Sequence, residues 1–219
     1  MMRRYKVLLS AGAGAAALGA LLLVPGQLAL SADHLDPPGR TDPAVTARAD
    51  IPADIADHYA FYDANNLYIA MSFAGPANPG VPAFYDPNVL YTFNISNNAP
   101  ATSADISIRF RFGPATNGTG NGVSVENLPG VNGPLVGPVE TVLTKDGVQA
   151  YAGLRDDPFT FDLIGFRETR SMNAIRFRND RNFFGNKNDT VLVLAIPRSR
   201  VGAGPFDISV TSARFGGLL

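Results

Sequence analysis

Cysteine is absent from all 219 residues. That excludes disulfides, thiolate catalysis, cysteine-held zinc and covalent c-type haem attachment. Histidine is nearly absent as well, occurring only as His34 and His58. There is no HExxH or GxSxG pattern, and neither histidine has a serine nucleophile in view. Charged residues make up only 17% of the chain, and beyond residue 32 no three lysines or arginines stand in a row. Beyond residue 32 there are 15 basic against 19 acidic residues. A mildly acidic body of this kind is a poor nucleic-acid binder. Sustained helical periodicity is missing after residue 32 too, and one turn is expected at most, at RNFFGN (181–186).

What is present is apolar and frequently interrupted. Hydrophobic residues reach 46%, with 22 glycines and 17 prolines. That suits short strands joined by irregular loops. Leu67, Ile69, Met71 and Phe73 alternate on one face of a predicted strand, as do Val89, Tyr91, Phe93 and Ile95. Ile106, Ile108, Phe110 and Phe112 alternate with Asp105, Ser107, Arg109 and Arg111, the mark of a strand with one wet face. TVLTKDGVQAYAG predicts a hairpin turning at Asp146-Gly147. TVLVLAIP (190–197) is apolar on both faces and is expected as a central strand, and FDISVTSARF (206–215) as the last one. Residues 33–53 predict an extended linker and 54–219 the body. Within the body, 113–138 is expected as a long loop that touches a partner or wanders at the surface, because over half of it is Gly, Pro or Asn. The fold expected is mainly β, an antiparallel β-sandwich of immunoglobulin or carbohydrate-binding type preceded by one hydrophobic helix.

That helix is read from residues 1–32. Arg3, Arg4 and Lys6 precede an apolar run from Val7 to Val24, with Ser10 its one polar side chain, broken by Pro25-Gly26. A cleaved secretory signal fits this layout. So does a retained anchor, because the run reaches the lower limit of a membrane span. Ala11, Ala15 and Gly19 are spaced four apart, as are Gly12, Ala16 and Ala20, making small-residue ridges of the kind that pack membrane helices. The retained anchor is the expectation, with the basic residues in the cytoplasm and the body exported, on the periplasmic side.

Four segments together carry a family likeness: 50–61 (DIPADIADHYAF), 65–70 (NNLYIA), 152–163 (AGLRDDPFTFDL) and 184–190 (FGNKNDT). They resemble a family of exported bacterial proteins catalogued as a domain of unknown function, with Asp-Pro-x-Ala-Asp…Asp-x-Tyr-Ala-Phe and Ala-Gly-x-Arg-Asp-Asp-Pro-Phe motifs. The likeness runs from about residue 33 to the C-terminus. The family's Ser-His-Arg-Glu-Ala-Pro start is reduced here to DHLDP (33–37). The resemblance implies export and a β-rich fold, and no activity. Residues 57–70 are also similar to the early strands of sugar- or haem-binding sandwiches.

The candidate sites follow. Arg155, Asp156 and Asp157 form a charge clamp onto backbone and neighbouring strands. A second reading places Asp156 and Asp157 with Asp50, Asp54 and Asp57 in an oxygen cage for calcium, without the spacing of an EF-hand loop. No other cofactor is expected. His34 sits beside Asp33 and Asp36, a surface metal group or a solvated stretch. His58 is expected to face outward, with Tyr59 and Phe61 turned into the core. The function expected is non-enzymatic: a membrane-anchored accessory subunit bracing a larger membrane complex, respiratory or photosynthetic, whose partners are the membrane and other protein subunits and not nucleic acid. A secreted carbohydrate- or calcium-binding domain is the alternative, and a hydrolase using Asp156 or Asp157 ranks last.

Overall fold

The computed structural model describes residues 36–98, 103–116 and 118–216. The apolar run, with Ala11, Gly12, Ala15, Ala16, Gly19 and Ala20, lies outside the described residues, as does His34. Among the described residues no helix is long and apolar enough to cross a membrane.

The described residues form ten strands: β1 (Ile55–Tyr62), β2 (Asn66–Ala77), β3 (Val89–Ser96), β4 (Ile106–Pro114), β5 (Asn121–Glu126), β6 (Leu135–Pro138), β7 (Leu143–Lys145), β8 (Val148–Asp156), β9 (Asn188–Pro197) and β10 (Asp207–Arg214). One helix, α1 (Leu163–Met172), lies between β8 and β9. The strands make two antiparallel five-stranded sheets, ordered β1-β2-β9-β8-β7 and β10-β3-β4-β5-β6. The result is mainly β and sandwich-like, as the alternating patterns predict.

The inner faces are built from those patterns. Leu67, Ile69, Met71 and Phe73 of β2 and Val89, Tyr91, Phe93 and Ile95 of β3 are all buried in one apolar cluster. Each such side chain contributes roughly 1.5–3 kcal/mol by leaving water. Aromatic rings fill the middle, with Phe73 on Tyr91 at 4.3 Å and Phe93 on Phe110 at 5.5 Å. β9 is the central strand of its sheet, with Leu192, Leu194 and Ile196 fully buried. Asp146 and Gly147 both have positive φ, 49° and 80°, giving the β7–β8 hairpin the turn whose twist matches its strands.

Three expectations are corrected. Residues 113–138 are not one long loop, because β5 and β6 complete the second sheet. Val123, Val125, Leu128 and Leu135 are buried there. Gly122 lets the backbones close up, since a Cβ would stand 3.0 Å from the Ala115 Cα. The phase of β1 is also reversed. Phe61 pairs with Tyr68 and stacks on it at 5.1 Å on the outer face, while His58 pairs with Met71, whose side faces the core. An irregularity in register between Ile55 and Asp57 sets this phase. Both Phe61 and His58 are nevertheless exposed, because β1 is an edge strand.

The third correction concerns the expected linker. From Pro38 it is folded onto the body. Gly39 bridges Ala49, and the Asp50 N–H donates to the Pro38 carbonyl at 2.7 Å. The Asp50 carboxylate then meets Arg214 at the end of β10 through both guanidinium edges, with Nη2 to Oδ1 at 2.6 Å and Nε to Oδ2. Arg214 Nη2 also donates to Asp86 at 2.7 Å. The side chains of Arg214 and Asp50 are 3% and 2% exposed. Downstream, the Ser212 hydroxyl donates to the Ala53 carbonyl at 2.6 Å, and the Ala74 N–H to the Asp54 carbonyl at 2.9 Å. The segment is thus bonded to both sheets before β1 begins.

These bonds also define two ends of the sandwich. One end holds the incoming segment, the start of β1 and β9, and the end of β8 and β10. The other holds the end of β1 and β9 and the start of β10. Removing one member of a buried ion pair leaves its partner charged and unanswered. Arg214→Met is therefore expected to lower unfolding free energy by about 3–5 kcal/mol, read by urea denaturation, with Asp50→Leu in the same chain recovering part of the loss.

Candidate functional site

β8 carries the Arg155-Asp156-Asp157 stretch out of its sheet, and the three side chains part company. Arg155 and Asp156 are exposed while Asp157 is buried. Asp157 Oδ1 accepts the Phe159 N–H at 2.8 Å, and the Asp157 N–H donates to the Lys187 carbonyl at 2.8 Å. It thereby closes the neck of the connection between β8 and β9. Arg155 lies over the Tyr151 ring at 4.1 Å and reaches Glu140 at 3.9 Å. The acid that Arg155 meets is Glu140, which sequence reasoning missed. Glu140 has positive φ, 60°. Its carboxylate accepts the Tyr85 hydroxyl, the Tyr151 hydroxyl at 2.6 Å and the Leu154 N–H at 2.8 Å. Burial pushes its pKa up, but the donors from Tyr151, Tyr85 and Leu154 and the charge of Arg155 outweigh that and hold it below the ordinary glutamate value.

The five aspartates are only partly gathered. Asp50 is committed to Arg214, and Asp156 is exposed. Asp57, Asp157 and the fully buried Asp189 act together on Tyr59, whose hydroxyl donates to Asp57 Oδ2 at 3.2 Å. Burial first, then the Asp57 carboxylate and the two others, push the Tyr59 hydroxyl above the usual tyrosine range. Asp54 is buried at the start of β1. Among the described residues no three His, Asp or Glu side chains gather in a group able to hold a metal ion. The calcium cage expected from the sequence is not assembled from them.

Residues 157–187 form an excursion built on itself more than on the sheets. Asp162 is its hub. As N-cap of α1 it accepts the Gly165 N–H at 2.8 Å, and it also accepts the Arg178 N–H at 2.9 Å and Arg181 Nε at 3.1 Å. Desolvation raises the Asp162 pKa, and these donors overcome it, so the net shift is downward. Asn173 ends the helix in the left-handed conformation. The Thr169 hydroxyl accepts the Arg176 N–H at 2.9 Å, and the Phe183 N–H donates to the Phe161 carbonyl at 2.9 Å. Phe161 packs on Phe166 at 5.6 Å and on Phe177 at 6.0 Å. α1 buries only Gly165. It was missed because it carries no core-facing stripe, and its only sequence signals are the capping Asp162 and Asn173.

A cleft of about 470 Å³ opens at the other end, between β1 and the segment leading into β10. Its walls include Phe61, Tyr62, Leu67, Arg198 and Phe206. Phe61 and Tyr62 are 59% and 69% exposed. Both rings are nevertheless held. Phe61 stacks on Tyr68, whose hydroxyl donates to Asp63 at 2.9 Å. Arg198 lies over Tyr62 at 4.7 Å and donates to the Asp63 carbonyl at 3.1 Å.

No family model, curated protein or solved structure matches the chain. The surfaces are therefore read from their own chemistry.

Two outcomes are expected. Glu140 titrates lower when folded, so its contribution is complete above the ordinary value of 4.5 and is lost as pH falls through the lower folded value. Melting curves of Glu140→Gln should fall below the parent at neutral pH and approach it in acid. Asp162→Ala should speed amide hydrogen exchange across 163–181 and leave the β9 amides as slow as before.

Proposed function

We propose that the chain is a non-enzymatic accessory module. The apolar run at 7–24 tethers it to the membrane, its body lies on the exported side, and it braces a larger membrane protein assembly. The observation that supports this best is the cleft formed by Phe61, Tyr62, Arg198 and Phe206. Its walls are aromatic, aliphatic and Gly-Pro backbone, with Arg198 as the one charged wall residue. Tyr, Phe and Arg are the side chains that anchor protein interfaces, and rings fixed before contact lose little entropy on docking. β1 and β10 are also edge strands, the kind of strand to which a partner segment can add. The likeness to the exported family of unknown function and the immunoglobulin-type form of the sandwich belong to the same reading.

A second reading takes the same rings as a saccharide platform, favoured by the exposed Tyr62 ring beside Asp63 and Asn65. The two separate in one experiment. Purified from detergent-solubilised membranes, the parent should bring partner subunits with it. Phe61→Ala with Tyr62→Ala should lose them, with an unchanged melting temperature because neither ring is in the core. Recovery of the parent alone from the periplasmic extract would sink the subunit reading, and retention on immobilised saccharide lost in the same double variant would establish the second.

A further inference from the structure

The excursion at 157–187 has a surface that neither the clamp nor the cleft uses. Ile164, Phe166, Met172, Ile175 and Phe177 are exposed on it, Ile175 at 85%. Exposed apolar side chains gathered in one short segment mark a contact surface. Between residues 163 and 187 the sequence has five arginines and one lysine against Glu168 and Asp180. Arg178 is paired with Asp180, and Arg181 with Asp162 and Glu168. Arg167, Arg170 and Arg176 are exposed, and among the described residues none has an acid within ion-pair distance. The chain as a whole is slightly negative, so this positive surplus is local.

Position adds a separate observation. The excursion leaves β8 at Asp156 and joins β9 at Asn188. That is the end of the sandwich where the incoming segment docks through Asp50 and Arg214.

We propose that residues 163–181 dock on an anionic bilayer surface, with Ile175, Met172 and Phe177 entering the headgroup boundary and Arg167, Arg170 and Arg176 on lipid phosphates. Apolar side chains flanked by arginine are the composition of interfacial anchors, and each cation near an anionic leaflet adds to the attraction. The self-held fold of the excursion makes the contact preorganised. Ile175 follows the end of α1 and is 85% exposed, and the unpaired arginines around it favour an anionic lipid surface. The inference rests on the tethered reading above and deepens it by naming a segment of the body that would meet the lipid.

The chain has no tryptophan, so one introduced indole reports one place. Full-length I175W is reconstituted in vesicles of phosphatidylcholine with phosphatidylglycerol, in vesicles of phosphatidylcholine alone, and with brominated lipid as quencher. V136W, on the solvent-facing side of β6, serves as the control. The expected result is a blue-shifted, quenched I175W indole in anionic vesicles only, an unshifted V136W indole, and loss of the I175W signal when Arg167→Gln, Arg170→Gln and Arg176→Gln are added. An I175W indole that stays water-exposed while the chain floats with vesicles overturns the lipid contact and leaves the tether standing. A shift seen only in native membranes assigns the face to a protein and likewise overturns the proposal. A shift of equal size in both vesicle types overturns the role of charge. A chain that does not float overturns the tether and the docking together.

Discussion

The Arg214 guanidinium, held between Asp50 and Asp86 out of reach of water, joins the two ends of the folded chain. Asp50 precedes the first strand and Arg214 closes the last. A bidentate pair with a second carboxylate satisfies most of a guanidinium's donors, which is the condition under which a buried charge is tolerated. Once Asp50 is placed, Pro52 and Ala53 reach Tyr91 and Ser212 in one sheet, and Asp54 reaches Ala74 in the other. The sheets are stapled at that end by backbone carbonyls whose positions follow from one ion pair. The segment that looks like a tether is therefore a structural part of the body.

With that end closed, the strands act as spacers. β9 runs the length of the sheet, and ten residues separate its ends by roughly 30 Å. The excursion sits at its start and the aromatic cleft at its finish. Strand interiors are spent on the core, so recognition chemistry collects in the connections, where side chains need not pack between sheets. Each connection is stiffened locally. Asp162 gathers three donors in one, and Asp63 fixes Tyr68, Arg198 and its own turn in the other. A short acid at a turn is enough to hold large rings and arginines in fixed positions without a core behind them.

The inner strands were legible because alternation is a local property. β2, β3, β4, β9 and the β7–β8 hairpin follow directly from residues two apart and from Asp146-Gly147. The failures have specific causes. β5 and β6 hide in a Gly, Pro and Asn-rich stretch because glycine there serves close backbone approach, which composition cannot distinguish from looseness. β1 was read in the wrong phase because a register irregularity shifts every side chain after it. α1 has no apolar period because it packs on neighbouring phenylalanines and not on a sheet. Arg155 was named with Asp156 and Asp157, but the acid it meets, Glu140, lies 15 positions away and comes near only through the placing of β8.

The sequence alone determined the mainly β character, the alternation of the inner strands and the exclusion of thiol chemistry, because each depends on residue type and near-neighbour spacing. The tertiary structure decided which acids meet which arginines, that the aspartates do not close into a cage, and that the excursion and the cleft stand at opposite ends. Those are long-range facts: they depend on sheet order and register, and no local pattern in the chain encodes either.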